Sequence, residues 1–530
     1  MAGFSFSTMP SVAISRSKFD RVSRHPLSFK LGEIIPIYVD EVLPGDTRKL
    51  ELSTLVRMST PIAPIMDDIE MDLMAFFVPN RLCFDHWKEV MGENNTGAGI
   101  YTGTEYVVPK VTITNGAIPV GSVGDHMGLP NVSASYGASV LPLRAYKLIY
   151  NRWFRNQNVT APVAVDISSS TSYDDYTISP YIAAKKADYF TKALPYAQKG
   201  DPVSIPLGTS APVFTGSDTS KYSNYPLVFR DSSTGHSLFI NAALATNSNG
   251  QVTDAGTPGS GSGLTAIPSN LYADLSQATA ATINQLRLAF QTQKLLEKDA
   301  LYGTRYWEIL YAHFGVQSPD ASLQDPEYLG GSKFMINIDQ VLQTTGYDDS
   351  ASSELAQVGA NSVTGWKGNL FTKSFVEHGW LIVVGVARQK HRTYGQGLNR
   401  MFARSGRYDF YFPVFANLGA QEVKNEEIFA GTTGNFGYQE AWADYRYKPS
   451  IVSGILNPSR ANSLDYWTLA EAFAACPTLG DTFIKEDRTN LIRALTTGAS
   501  GPDFIADFYF KDVSVRPMPT YSIPGLIDHH

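Results

Sequence analysis

Residues Tyr438 to Pro449 read YQEAWADYRYKP. Aromatic rings, two carboxylates, an arginine and a lysine crowd into this one stretch. A glycoside hydrolase, or a β-rich glycan-binding protein, could build a sugar site from such residues. Glycosidic cleavage needs two carboxylates facing each other across a cleft. Glu440 and Asp444 lie four apart, a spacing that predicts one helix face and a side-by-side arrangement. Trp442 and Tyr445 are likewise one helical turn apart. The other reading is a short amphipathic turn rich in packing residues. Tyr438, Trp442, Tyr445, Arg446 and Tyr447 are then candidates for a subunit contact, since Tyr, Trp and Arg bring large contact area with a polar tip.

No further stretch picks out a reacting centre. The phosphate-cradling, metalloprotease and nucleophile-elbow motifs find no match. GQGLNR (Gly395–Arg400) lacks the third glycine of a dinucleotide loop. Glu377 and His378 are adjacent on a predicted strand, so they point to opposite faces. The terminal Asp528–His530 reads as solvated. Cys83 and Cys476 are the only cysteines, too few for a zinc motif or a disulfide framework, and both read as reduced core residues of a cytosolic folding environment. No catalytic, cofactor-binding or metal-ligating residue is assigned, and the chain is read as non-enzymatic.

The elements that must position these residues are mainly β. Tyr and Phe number 28 each, which suits pleated, half-buried surfaces, and 43 Gly with 30 Pro imply many turns. A chain of 530 residues, 43% hydrophobic, buries one large core or two. The formal charge of −7 excludes a generally basic nucleic-acid binder, so any such contact is local. The longest apolar run, WLIVVGVA (Trp380–Ala387), is too short to span a bilayer and predicts a buried strand. No signal peptide is expected at the N-terminus.

Residues 1–30 carry Arg16, Lys18, Arg21, Arg24 and Lys30 against Asp20. They predict a basic arm, either solvated or touching nucleic-acid phosphates or a neighbouring subunit. Arg16, Lys18, Arg21 and Arg24, with Phe19 available for base stacking, are the candidate DNA contacts. Strands are predicted at Glu33–Val42, Arg48–Met58, Ile69–Pro79, Phe375–Gln389, Arg407–Phe415 and Ala506–Pro519. Polar and apolar residues alternate in the second and third, the antiparallel signature. Ile37, Leu52, Phe76, Val383 and Phe508 are the predicted core. Helices are predicted after Asp85, at Pro142, from Asp274 with a capping box at Gln277 to Gly303, and from Trp307 to Gly315. Residues 200–270 are rich in Ser, Thr, Gly, Pro, Asn and Asp. They read as an exposed insertion with a few short strands, or as a disordered linker between two domains. The whole predicts a single antiparallel sandwich with enlarged loops, covering 31–530 beyond the arm.

Several segments closely resemble the major capsid proteins of gokushoviruses, small single-stranded DNA bacteriophages of the microvirus family. They are IPIYVDEVLPGDT (Ile35–Thr47), TPIAPIMDDIEMDLMAFFVPNRL (Thr60–Leu82), ADLSQATAATINQLRLAFQTQKLLEKDALYGTRY (Ala273–Tyr306), HFGVQSPDASLQDPEYLGG (His313–Gly331), GLNRMFARSGRYDFY (Gly397–Tyr411), GYQEAWADYRYKPS (Gly437–Ser450) and RPMPTYSIPGLIDHH (Arg516–His530). The resemblance runs nearly end to end and fades at 200–270 and in parts of 340–370. His530 departs from the family's aromatic ending. The resemblance implies an eight-stranded antiparallel viral jelly roll with large loop insertions and several short-to-medium helices. It implies self-assembly into a T=1 icosahedral shell around circular single-stranded DNA, with a small basic DNA-packaging protein as partner. The 200–270 insertion would form a protrusion at each three-fold axis and meet a bacterial cell-surface receptor. Localisation would be the virion, assembled in the host cytoplasm without membrane insertion.

Overall fold

A computed structural model describes residues 15–93, 106–114, 117–170, 175–203, 283–344 and 358–521, with short strand segments between 213 and 273. The chain divides into two compact units, one of residues 1–197 with 299–530 and one of residues 198–298. In the second unit the described strands are two or three residues long, and Leu244–Thr246 pairs with Val252–Asp254 as a hairpin. The capping box proposed at Asp274 and Gln277 lies outside the described residues.

Eight strands frame the first unit. In chain order they are β1 (Ser17–Phe29), β2 (Ile35–Val42), β3 (Thr47–Met58), β4 (Ile69–Pro79), β5 (Glu327–Met335), β6 (Val363–Ser374), β7 (Gly379–Gln389) and β8 (Phe504–Arg516). They form two four-stranded antiparallel sheets, ordered β1-β8-β3-β6 and β5-β4-β7-β2. Leu50, Leu52, Phe508 and Phe510 of the first sheet share one buried cluster with Ile37, Met71, Leu73 and Val383 of the second. The core therefore lies between the sheets.

The sheets differ in what covers their far sides. The first buries one face only, so β3 and β8 alternate between buried and exposed positions. The second is covered on both. Phe76, Val78, Ile382, Val384 and Val386 turn away from the sandwich and pack with Leu143, Tyr146 and Ile149 of α1 (Leu141–Ile149). This explains the unbroken apolar run at 380–387, because a strand buried on both faces has no polar side. All five predicted core residues are buried, four between the sheets and Phe76 beneath α1. The two sheets also meet edge to edge. A β-bulge falls between Tyr328 and Gly330, where Gly330 has φ +152° and a Cβ would lie 2.5 Å from the Leu370 carbonyl of β6. Only glycine admits that approach.

Two expectations are corrected here. Residues 17–29 are not an arm but the edge strand β1, paired along its whole length with β8 from Ser17–Arg516 to Phe29–Phe504. Pro26 is tolerated there because an edge strand can spare a donor. Residues 1–14 lie outside the described set. Arg407–Phe415 is not a strand but two short 3-10 turns, Arg407–Asp409 and Pro413–Phe415.

Glu70 and Asp72, expected on a polar face of β4, are buried. Asp72 accepts hydrogen bonds from Lys186 at 2.6 Å and Arg388 at 3.1 Å. Burial alone would raise its carboxyl, but Arg388 and Lys186 outweigh burial and hold it below the usual carboxylate range. The ion pairing therefore stabilises the fold fully above the unfolded value of about 3.9, and that contribution is lost as pH falls through the lower folded value. Thermal melts of unassembled subunits between neutral and strongly acidic pH should show this loss. D72N should lower the melting point at neutral pH, by breaking a buried pair at a cost of about 3–5 kcal/mol, and flatten the acid slope. An unchanged slope in D72N would assign the acid sensitivity elsewhere.

Candidate functional site

The stretch that opens the sequence argument is a strand followed by one helical turn. Asn435–Glu440 pairs with Ala420–Lys424, and Ala443–Arg446 is the turn. Between them Trp442 takes φ +63°, a left-handed conformation that a bulky residue adopts only when its surroundings hold it there. Those surroundings are visible. The indole is buried and donates from Nε1 to the Phe415 carbonyl at 2.9 Å, while the Trp442 backbone N–H donates to Gln421 at 3.1 Å.

Of the five interface candidates, two pack their rings within the subunit, and Tyr438 is half-buried. Trp442 is buried. Tyr447 stacks on Tyr189 at 5.4 Å between ring centroids, and burial pushes its phenol up to about 12. Tyr438 bridges through its backbone to Leu194. The other two face outward: Tyr445 is exposed, and Arg446 pairs with Glu440 at 2.6 Å. The shared helix face expected of Glu440 and Asp444 does not form. Glu440 ends a strand and pairs with Arg446, whereas Asp444 sits on the helical turn and pairs with Arg404. Neither carboxylate faces the other across a cleft.

What this platform holds was not foreseen. The Arg404 guanidinium lies 4.2 Å over the Tyr445 ring and carries with it the segment from Arg400 to Leu418. Tyr411 packs edge-on against Trp442 and tilts against Tyr445. Other residues of the segment face solvent: Phe402 is 70% exposed, Tyr408 75% and Val414 89%. Ile451 and Ile455 add to the exposed apolar surface after the platform. Exposed aromatics gathered this densely are the general composition of contact surfaces. The available signal was Gly406 before the stretch and Pro413 within it, which break the apparent strand periodicity of RYDFYFPVF.

The basic residues of the first strand also divide. On β1 the even-numbered side chains point to the open face of the sheet and the odd-numbered ones toward β2 and the core, apart from Ser23. Arg21 is on the inner side. With Arg48, Asp40 and Asp512 it forms a network of two cations and two carboxylates, closed by Tyr38, which donates to Asp512 at 3.1 Å. Burial raises the Asp40 carboxyl in spite of the opposing Arg21 charge. Phe19 is half-buried on the same side. Arg24, on the open face, donates to both oxygens of Asp507 at 2.8 and 2.9 Å, and this hydrogen bonding lowers the Asp507 carboxyl. Lys18 lies 3.7 Å from Asp20 with both side chains exposed, and Arg16 is exposed beside Gly45.

Among the described residues no group of three or more His, Cys, Asp or Glu could hold a metal, and no helix is long and apolar enough to cross a membrane. The Asp528–His530 terminus lies outside them.

Comparison with known proteins gives a consistent picture. The family model described as "Capsid protein (F protein)" matches residues 7–526. The capsid protein VP1 of Bdellovibrio phage phiMH2K is 41% identical, with 98% of this chain and 97% of the relative covered. Those of Spiroplasma virus 4 and Chlamydia phage 1 are 38% and 37% identical over the same shares.

Proposed function

Because this chain belongs to the phage capsid protein (F protein) family, and is therefore a structural virion subunit and not an enzyme, we propose that it assembles into a T=1 icosahedral shell around circular single-stranded DNA. The observation that carries the reading is the end-to-end match to capsid proteins, joined to a strand order suited to that role. Sheets ordered 1-8-3-6 and 5-4-7-2 are what an eight-stranded jelly roll of two interleaved Greek keys requires. Self-association proceeds by isologous contacts at two-folds and cyclic contacts at three- and five-folds. The Arg400–Leu418 surface, held by Trp442, Tyr445 and Arg404, supplies one of these contacts.

The 200–270 insertion forms the outermost projection, clustered by threes, and meets a bacterial surface receptor. Its turn-rich, low-charge composition and its assignment to a separate compact unit support this. Contact with DNA falls to the outward cations of the first sheet. Arg16 and Lys18 belong to this set. Lys367 and Lys511 share the open face, where Tyr509 is exposed in register with Arg24. So few charges cannot neutralise a genome, so a small basic packaging protein shares the task. Folding and assembly take place in the host cytoplasm.

Electron microscopy of purified particles tests the reading. Wild-type protein should give closed shells with three-fold projections. Deletion of residues 247–263 should leave the shells and reduce attachment to host cells. A protein that stays monomeric or dimeric under every assembly condition would sink the proposal, and a deletion that abolishes shells would show the segment to be structural.

A further inference from the structure

A cleft of about 770 Å³ opens beside the start of α2 (Tyr306–Phe314). One wall is shaped by a tight cap. Gly303, at φ +123°, leaves no room for a Cβ beside the Glu308 carboxylate, which accepts the backbone N–H groups of Thr304 and Arg305. Arg305 is thereby fixed. It pairs with Glu308 at 3.0 Å and donates from Nη2 to the Arg155 carbonyl at 3.0 Å.

Two guanidinium groups, Arg155 and Arg305, consequently line the same wall. Arg155 spends one donor on the Thr160 carbonyl at 2.6 Å. Its Nε, like that of Arg305, is buried without a hydrogen-bond partner. The other cations of the cleft are treated unequally. Lys185 and Arg388 are matched by Glu471 and Asp72. Among the described residues, Arg155 and Lys192 have no carboxylate within ion-pair distance. Burial, and after it the Arg305 charge, holds the Arg155 guanidinium below its ordinary value. A half-buried cation against a like charge, with donors unspent, is costly unless an anion completes it.

The anion's class follows from the lining. A guanidinium fork beside an ammonium suits phosphate. The volume far exceeds one phosphate group. The exposed rings of Tyr302 and Tyr328 are what a nucleobase would meet by stacking. We propose that this cleft binds the phosphate of a nucleotide, with Arg155 and Lys192 on the phosphate and the tyrosines against the base. The assignment rests on this chain's own charges and holds whether or not the open face of the first sheet contacts DNA.

Titration of the full-length protein with inorganic phosphate, thymidine monophosphate and an octathymidylate tests it. The monophosphate should bind more tightly than inorganic phosphate. R155Q should weaken both by about tenfold to a hundredfold, the value of a lost charge-assisted contact. K192Q should weaken them less, and R155K should retain part of the affinity. K110Q, an equal loss of charge at an exposed strand position, should change nothing. Unchanged melting curves show that the variants are folded. Octathymidylate binding more tightly than the mononucleotide identifies a strand as the source, and equal affinity identifies free nucleotide. Equal binding by wild type and R155Q overturns the site. Inorganic phosphate binding as tightly as the nucleotide overturns the base contact. If R155Q blocks shell formation while nucleotide affinity is unchanged, the cleft receives an acidic segment of a second copy, and the nucleotide proposal is wrong.

Discussion

Val383→Asp gives no folded subunit and therefore no particles. Val383 is fully buried in β7, with Ala75 of β4 on one side and Tyr38 of β2 on the other, and its side chain points between the sheets. The buried side chains gathered there are apolar, so the new group is either charged in an apolar setting or neutral and poorly hydrogen-bonded. Either state costs several kcal/mol. A domain's entire stability is about 5–15 kcal/mol, so the loss takes most of the margin. The matched control is Ile505→Asp, on the open face of β8, where the side chain is 54% exposed. That change should move stability by about 0.5 kcal/mol or less. Soluble yield and thermal melts of the two variants decide the matter. Equal behaviour would mean that the inward and outward faces of the sandwich have been confused.

Replacing Phe402 and Tyr408 together with Ser abolishes shell formation and leaves the subunit folded. Both rings are largely exposed and contribute little to the subunit's own core. Loss of two aromatic anchors costs an interface about 2 kcal/mol or more each. About 4 kcal/mol weakens one contact nearly a thousandfold. A closed shell repeats that loss in every subunit. Sedimentation velocity should find small species where wild type gives particles, while circular dichroism melts superimpose. Normal shells from the double variant would remove the Arg400–Leu418 surface from the assembly contacts.

The parts of the fold legible in the sequence are those whose local pattern matches their final environment. β3 and β8 alternate because one face of their sheet is open, and β7 reads as unbroken apolar because both of its faces are covered. β5 and β6 escaped notice because Gly330, Gly331, Gly365 and Gly368 interrupt their patterns. β1 was masked by its charges, since Arg21 is an inward residue whose partners, Asp40 and Asp512, lie elsewhere in the chain. The same distance limits the site. YQEAWADYRYKP could be read as packing residues, but its partner Arg404 lies 40 residues upstream of Asp444. The aromatic segment 407–415 imitated a strand because its rings recur at short spacing, although they pack on one another and on Trp442 and Tyr445, or face solvent, instead of joining a sheet.

The strand order of the first sheet also sets a timetable for making the protein. β3 leaves the ribosome early, yet its two hydrogen-bonded neighbours are β6 and β8, and β8 alone bridges β3 to β1. At ordinary elongation rates the roughly 450 residues between β3 and β8 take about 20 to 90 s to synthesise. Until β6 emerges, Leu50, Leu52 and Val56 have no sheet to enter, and β1 and one edge of β3 stay unpaired until β8 follows. Nascent chains that share a polysome carry identical unpaired edges close together. The subunit therefore faces its greatest risk of joining a copy of itself wrongly before it is complete, when the surfaces meant for joining copies do not yet exist.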